Sequence, residues 1–418
     1  MGTKRLPLVA APGGKSFLLP FVLITSLFLL WGFAHGMLDV LNKHFQGIFT
    51  MSKAESGLVQ FVTYIAYFLM ALPAGAFMKR YGYKRGILLG LGLFALGAFS
   101  FVPAAYEHSA VPYLLALFVI ACGLCILETA ANPYVTVLGP PESAAERLNL
   151  SQSFNGLGWI LGPLVGGALI FGSEPGDTFA LVRPYLLVGI IVLLVSVVIT
   201  CIRLPEIKEE EIENAFPDKD SAVREMTPTL SIWRNRQFVR AVMAQFCYCA
   251  AQTGIFSFFI NYVTEMQPEI SNVKASRILA FGGMALFMIG RLSGSFTMQR
   301  VRPSRLLSLF AGANILCMLL VMASLGNLSL YALYASFFFM SIMFPTIFAL
   351  GLEGMGVHTK RASSYIVMGV AGGAFSPMLM GWIGADVMAY GFIVPLLAFV
   401  YIFYFALSCR KRKSRMAR

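Results

Sequence analysis

Two acidic residues sit where acids are costly. Asp39 lies in WGFAHGMLDVL and Glu128 in ACGLCILETAANPYVTV, each with apolar sequence on both sides. An acid at membrane depth costs at least about 2.5 kcal/mol on insertion scales, so it faces a cavity, finds a partner or stays protonated. Burial favours the uncharged form of a carboxyl, which suits a group that loads and releases protons. Both read as proton-coupling residues. The competing reading is a structural one, a hydrogen bond that locks helices together. No buried lysine is expected nearby in sequence to pair with either acid.

Helical spacing supplies companions. Trp31, His35 and Asp39 fall four apart, on one stripe. Asn132 is four after Glu128, and Gln152 and Asn155 are three apart. Further on, Gln245, Tyr248, Gln252 and Phe259 follow one stripe, with Asn261 beyond it. Amides both give and accept hydrogen bonds, and rings pack on the apolar face of a pyranose, so the set suits a sugar. Each amide taken alone also reads as interhelical glue. His35 has three readings: it tunes Asp39, touches ligand, or packs. His44, His108 and His358 lie near loops. Cys122-x-x-Cys125 stands in apolar surroundings without a second Cys/His pair at zinc-like spacing, so inert thiols are expected, with no metal and no redox role.

The elements that must carry these residues follow from composition. Of 418 residues, 58% are hydrophobic and 12% charged, with a mean hydropathy of +0.74. A soluble domain carries about 25% charged residues. A water-soluble enzyme, a disordered chain and an ordinary nucleic-acid binder are excluded on that ground. The expected class is an all-α membrane protein, and no catalytic activity is expected. About 20 apolar residues cross the hydrocarbon core. Twelve such spans are predicted, near 17–42, 56–79, 84–104, 110–138, 147–172, 183–204, 238–264, 273–299, 304–324, 327–352, 361–384 and 389–409. The first run has no cleavage site after it and is expected to stay as a helix.

The predicted organisation is an amino-terminal six-helix bundle over 1–204, a cytoplasmic linker over 205–237, and a carboxy-terminal bundle with a basic tail over 238–418. With both termini in the cytoplasm, 26 lysines and arginines face inward and 5 outward, and Arg291 lies within a span. That bias selects the orientation and accounts for the net charge of +12. An Arg291–Glu353 pair is open from the sequence. The halves resemble each other weakly: P-Y-V-T-V-L-G at 133–139 parallels P-T-I-F-A-L-G at 345–351, and Gly75-Ala-Phe77 parallels Gly294-Ser-Phe296. Parallel repeats of this kind suit a transporter with its site at the repeat interface. Gly158, Gly162 and Gly166, with Gly369, Gly372 and Gly373, read as close-packing devices. Pro133, Pro163, Pro345 and Pro377 are expected to bend their helices.

Two parallel six-helix halves and the basic run G-A-F-M-K-R-Y-G-Y-K-R at 75–85 resemble the major facilitator superfamily, although Lys79 stands where that family usually has an acid. L-E-T-A-A-N-P at 127–133, R-L-N-L-S-Q-S-F-N at 147–155, A-Q-F-C-Y at 244–248, A-Q-T at 251–253 and F-P-T-I-F at 344–348 are similar to the L-fucose:H⁺ symporter family, which also holds glucose/galactose and N-acetylglucosamine carriers. The resemblance implies twelve helices in two repeats, uptake of a monosaccharide with protons by alternating access, Asp39 and Glu128 as the functional acids, and Gln152, Asn155, Gln245 and Gln252 lining a cavity. It also implies no cofactor beyond the coupling H⁺, a bacterial inner-membrane location, a monomer, and no nucleic-acid partner. Ala34-His-Gly-Met-Leu38 replaces that family's asparagine-rich stretch before the first acid, which leaves the sugar open. The rival reading is a drug/H⁺ antiporter, from G-x-x-x-G-P-x-x-G-G at 158–167. A non-transporting sugar sensor is a third.

Overall fold

The computed structural model describes residues 9, 17–107, 109–139, 144–172, 178–202, 204, 232–298, 300–353, 362 and 365–416. Most of the predicted linker, together with His108 and His358, lies outside the described residues. Long apolar runs give long helices, even where Pro73, Pro133, Pro163 and Pro377 fall inside them. In chain order these are α1 (Leu18–Ile48), α2 (Leu58–Tyr81), α3 (Tyr83–Phe99), α4 (Ala110–Val137), α5 (Ala144–Ile170) and α6 (Val182–Cys201). They are followed by α7 (Arg236–Ser257), α8 (Ala285–Met298), α9 (Pro303–Met322), α10 (Asn327–Met340), α11 (Gly372–Ile383) and α12 (Ile393–Met416).

Several spans are composite. Short helices precede α2 (Lys53–Ser56) and follow α10 (Met343–Leu352), and a π turn (Leu279–Met284) joins Asn272–Ile278 to α8. Among the described residues, 11 helices are long and apolar enough to cross a membrane. The count reaches 12 when α7 and Phe259–Met266, bent by 46° at Phe258, form one span. The described residues are thus nearly all helical.

Local chemistry sets the ends. Asn235 caps α7 by accepting from the backbone of Gln237 and Phe238. Lys84 Nζ donates to the carbonyls of Thr200 (3.1 Å) and Ile202 (2.8 Å), neutralising the exposed end of α6. Gly82 links α2 to α3 alone, at φ +84, a conformation that a side chain would strain. Arg147 does not stay at a loop surface. It is buried at the start of α5, and its Nε donates to Val135 O at the end of α4 (3.0 Å).

The chain divides into two compact units, and the division cuts α1 and α2. One unit holds Met1–Met37 and Ala66–Lys219; the other holds Leu38–Ile65 and Asp220–Arg418. In the first, α3 packs on α4 and α6, and α5 on α4. In the second, α9 packs on α10 and α12, α7 on α11 and α12, and Lys53–Ser56 on α11.

Glycine makes the tightest of these approaches. A Cβ on Gly162 would fall 2.7 Å from the Gly36 backbone, and one on Gly158 would fall 2.6 Å from Phe33 N, so α5 lies against α1 backbone to backbone. Likewise a Cβ on Gly369 would fall 3.0 Å from Phe246 N, bringing residues just before α11 close to α7. The G-x-x-x-G-P-x-x-G-G run therefore has a packing explanation in this chain.

Candidate functional site

In the first unit four helices bring polar and aromatic groups together. From α1, Trp31 and His35 are both buried. Trp31 packs on Phe28 with centroids 4.2 Å apart. His35 Nδ1 is 3.0 Å from Trp31 O; a carbonyl only accepts, so Nδ1 carries the hydrogen and Nε2 is left for other work. The imidazole stacks on Trp159 of α5 and meets the edge of Tyr67 of α2, each at 5.5 Å. The Tyr67 hydroxyl lies beside the Glu128 carboxyl on α4. Glu128 itself is half-buried.

One turn beyond Glu128, Asn132 Oδ1 accepts from Gln152 Nε2 at 3.1 Å. Both amides are half-buried, and each keeps further donors or acceptors for a ligand. Asn155 is buried, and its Nδ2 donates to Phe28 O across the α1–α5 seam at 3.2 Å. A second tie, Thr25 Oγ1 to Ser151 Oγ at 2.8 Å, holds the same two helices. Trp31, His35, Glu128, Asn132, Gln152 and Asn155, separate in sequence, thus join one connected cluster. Tyr67 and Trp159 complete it and escaped the sequence reading. Trp159 is four residues after Asn155, so helical spacing could have found it; Tyr67 carries no such signal.

The second unit holds the other predicted residues. Asp39 is 3% exposed, and its Oδ2 has no hydrogen-bond partner among the described residues. Gln245 and Tyr248 are fully buried; among the described residues the Gln245 amide atoms and the Tyr248 hydroxyl make no hydrogen bond to protein nitrogen or oxygen. Buried polar groups are usually paired; in this unit Ser257, Asn314 and Ser376 likewise have buried polar atoms without a partner among the described residues. Tyr248 meets Phe344 edge-on at 5.9 Å, and the Arg291 guanidinium lies near its hydroxyl. Arg291 also sits over the Phe287 ring at 4.9 Å. Gln252 is half-buried. Asn261 is committed elsewhere: its Nδ2 donates to Gln46 Oε1 at 2.6 Å.

The model of the Major Facilitator Superfamily matches residues 17–377. The chain belongs to that superfamily. Within it, the chain is 38% identical over 415 residues to an L-fucose-proton symporter of Escherichia coli (strain K12), covering 94% of this chain and 93% of the relative. It is 34% identical over 394 residues to a glucose/galactose transporter of Brucella abortus, covering 92% of each. The crystal structure of a fucose permease of the superfamily in the outward conformation matches at 36% identity and a TM-score of 0.67, over 94% of this chain and 99% of that one. A D-xylose-proton symporter shares the fold at 14% identity and a TM-score of 0.74, over 93% of this chain and 98% of that one. The resemblance to this transporter family noted in the sequence holds over nearly the whole chain, and the relatives it matches are transporters rather than enzymes.

Proposed function

We propose that this protein is a proton-coupled symporter that takes up a monosaccharide, L-fucose or a related hexose such as galactose or glucose, by alternating access. The carrying observation is Glu128: a half-buried carboxyl beside the Tyr67 hydroxyl, one turn from the Asn132–Gln152 amide pair, on a helix whose preceding turns are apolar. A protonated Glu128 donates to a sugar hydroxyl, the amides bond neighbouring hydroxyls, and Trp31 with its aromatic neighbours offers ring surface to the sugar's apolar face. Asp39 couples transport to the proton gradient. Gln245, Tyr248 and Gln252 contribute from the second unit, and His35 holds the aromatic frame. In this reading the bundles of 1–204 and 238–418 act as the two repeats, joined by a cytoplasmic 205–237 segment. Both termini face the cytoplasm of a bacterial inner membrane, and the protein works as a monomer on sugar and protons, without a cofactor.

The test is uptake of labelled sugars into proteoliposomes with and without an imposed pH gradient. Accumulation of one hexose when the outside is acid, with protons entering alongside it, supports the proposal. Gradient-independent equilibration, or sugar-free export of a lipophilic cation against proton entry, refutes it.

A further inference from the structure

We propose that the start of α7 and the end of α12 form a binding site for the phosphodiester headgroup of an anionic phospholipid. The site lies wholly within the second unit and shares no residue with the sugar cluster. In the orientation proposed above, it opens onto the cytoplasmic leaflet.

The two spans terminate at Arg236 and Arg410, both exposed. Gln237 Nε2 reaches Cys409 Sγ at 3.8 Å, so the adjoining Arg236 and Arg410 stand at one height on neighbouring helices. One turn further along α7, the Arg240 guanidinium lies over the Tyr404 ring of α12, 5.5 Å from its centroid. Trp233 and Arg234 precede α7 on a short 3-10 turn, Ile232–Arg234. That turn is anchored from beneath. Ile232 is buried with Phe238, Ala362 and Ile366, and the Trp233 ring meets Tyr365 at 5.0 Å and Phe238 at 5.6 Å. The α12 backbone continues as helix through Lys411, Arg412, Lys413 and Arg415 to Met416. Neither 232–240 nor 393–416 contains an acidic residue.

Three features select a lipid headgroup. Arginine presents a planar fork of donors that matches phosphate oxygens, and four arginines converge here from two helices. Trp233 and Tyr404 are each 50% exposed beside them, and Trp and Tyr favour the headgroup level of a bilayer. Toward the membrane centre the surface turns apolar at once: Val239 and Met243 on α7, with Leu397 and Val400 on α12, are exposed. Acyl chains cover such a face, whereas a free phosphate would use the arginines alone. Basic clusters at the cytoplasmic mouth of a span attract anionic lipid, and the start of α7 adds the positive end of its dipole. The turn that carries Trp233 and Arg234 is packed in place without lipid, so binding orders little more of the chain.

The test is native mass spectrometry of the full-length protein in a neutral detergent, offered equal amounts of phosphatidylglycerol and phosphatidylcholine with the same acyl chains. The parent should retain phosphatidylglycerol in preference. Arg236→Gln, Arg240→Gln and Arg410→Gln should each lower the ratio of the two bound lipids about fivefold, the effect of one basic residue near a headgroup. Arg80→Gln removes an exposed arginine from the first unit and should leave the ratio within about twofold. A parent without preference, three unchanged variants, or an Arg80→Gln protein that loses as much as they do would overturn the site. Displacement of the lipid by an equal concentration of glycerol phosphate would overturn the assignment to lipid. If the α7 variants are not monodisperse, Arg410→Gln decides: a lower ratio supports the proposal and an unchanged ratio refutes it. Lipid retention needs neither sugar nor a proton gradient, so a failed symport assay does not bear on this outcome.

Discussion

Gly162→Ala should damage the sugar site without touching a polar residue. The new methyl would fall 2.7 Å from the Gly36 Cα and carbonyl carbon, where ordinary contact begins near 3.4 Å, so backbone must give by about 0.7 Å. No flexible side chain can absorb that shift, because the obstacle is the main chain of α1. Overpacking of this kind costs about 1–3 kcal/mol. The seam then opens where Asn155 Nδ2 reaches Phe28 O at 3.2 Å, and a displacement of that size carries the bond past a useful length. The His35–Trp159 stack crosses the same seam and loosens with it. A lost buried hydrogen bond is worth about 0.5–1.5 kcal/mol, so sugar affinity should fall by up to about tenfold. Purified variant and parent would be compared by thermal melting, where about 2–4 °C is lost per kcal/mol in a domain of this size, and by sugar titration of tryptophan fluorescence. A Gly162→Ala protein that melts and binds like the parent would refute the reasoning. The glycine run would then need a purpose other than packing.

Three further substitutions test the chemistry. Asp39→Asn should abolish accumulation, which for one proton can reach about tenfold per pH unit, while leaving sugar exchange across the membrane intact; concentrative uptake by the variant would remove Asp39 from coupling. Glu128→Gln should keep sugar binding but make it independent of pH, since an amide donates a hydrogen bond without a proton to exchange, and a pH-dependent affinity in that variant would count against the assignment. Gln152→Leu leaves Asn132 Oδ1 without its donor, a loss of about 1–3 kcal/mol. Calorimetry should show at least about fivefold weaker sugar binding, and unaltered affinity would place the pair outside the site.

The coupling scheme draws on a division of labour between the two acids. Glu128 is half-buried and has hydrogen-bonding neighbours at hand, whereas Asp39 is almost fully enclosed with one oxygen unsatisfied among the described residues. A carboxyl of the first kind can exchange one partner for another as a ligand arrives. The second kind depends on which surfaces surround it, so its protonation responds to conformation. Those are the two properties a symporter must link, and Asp39 and His35 stand one turn apart on α1 although they fall in different compact units.

How much of this was legible before the structure depends on the kind of information each residue carries. Hydropathy and length determined the spans, because a helix in lipid must satisfy its backbone within itself and present an apolar surface along its whole length. The same logic exposed Asp39 and Glu128, the two acids that interrupt apolar runs, and helical period grouped Trp31 with His35 and Gln152 with Asn155. Period reports which residues share a face; it does not say what that face meets. Only tertiary packing could bring Tyr67 to Glu128, bury Arg147 against α4, or commit Asn261, which lies beyond the ligand-facing stripe, to Gln46, 215 residues away. It alone placed 38–65 with the second unit, cutting α1 and α2 where the sequence has no break. Those outcomes rest on contacts between segments far apart in the chain, and such contacts leave no periodic trace in either partner.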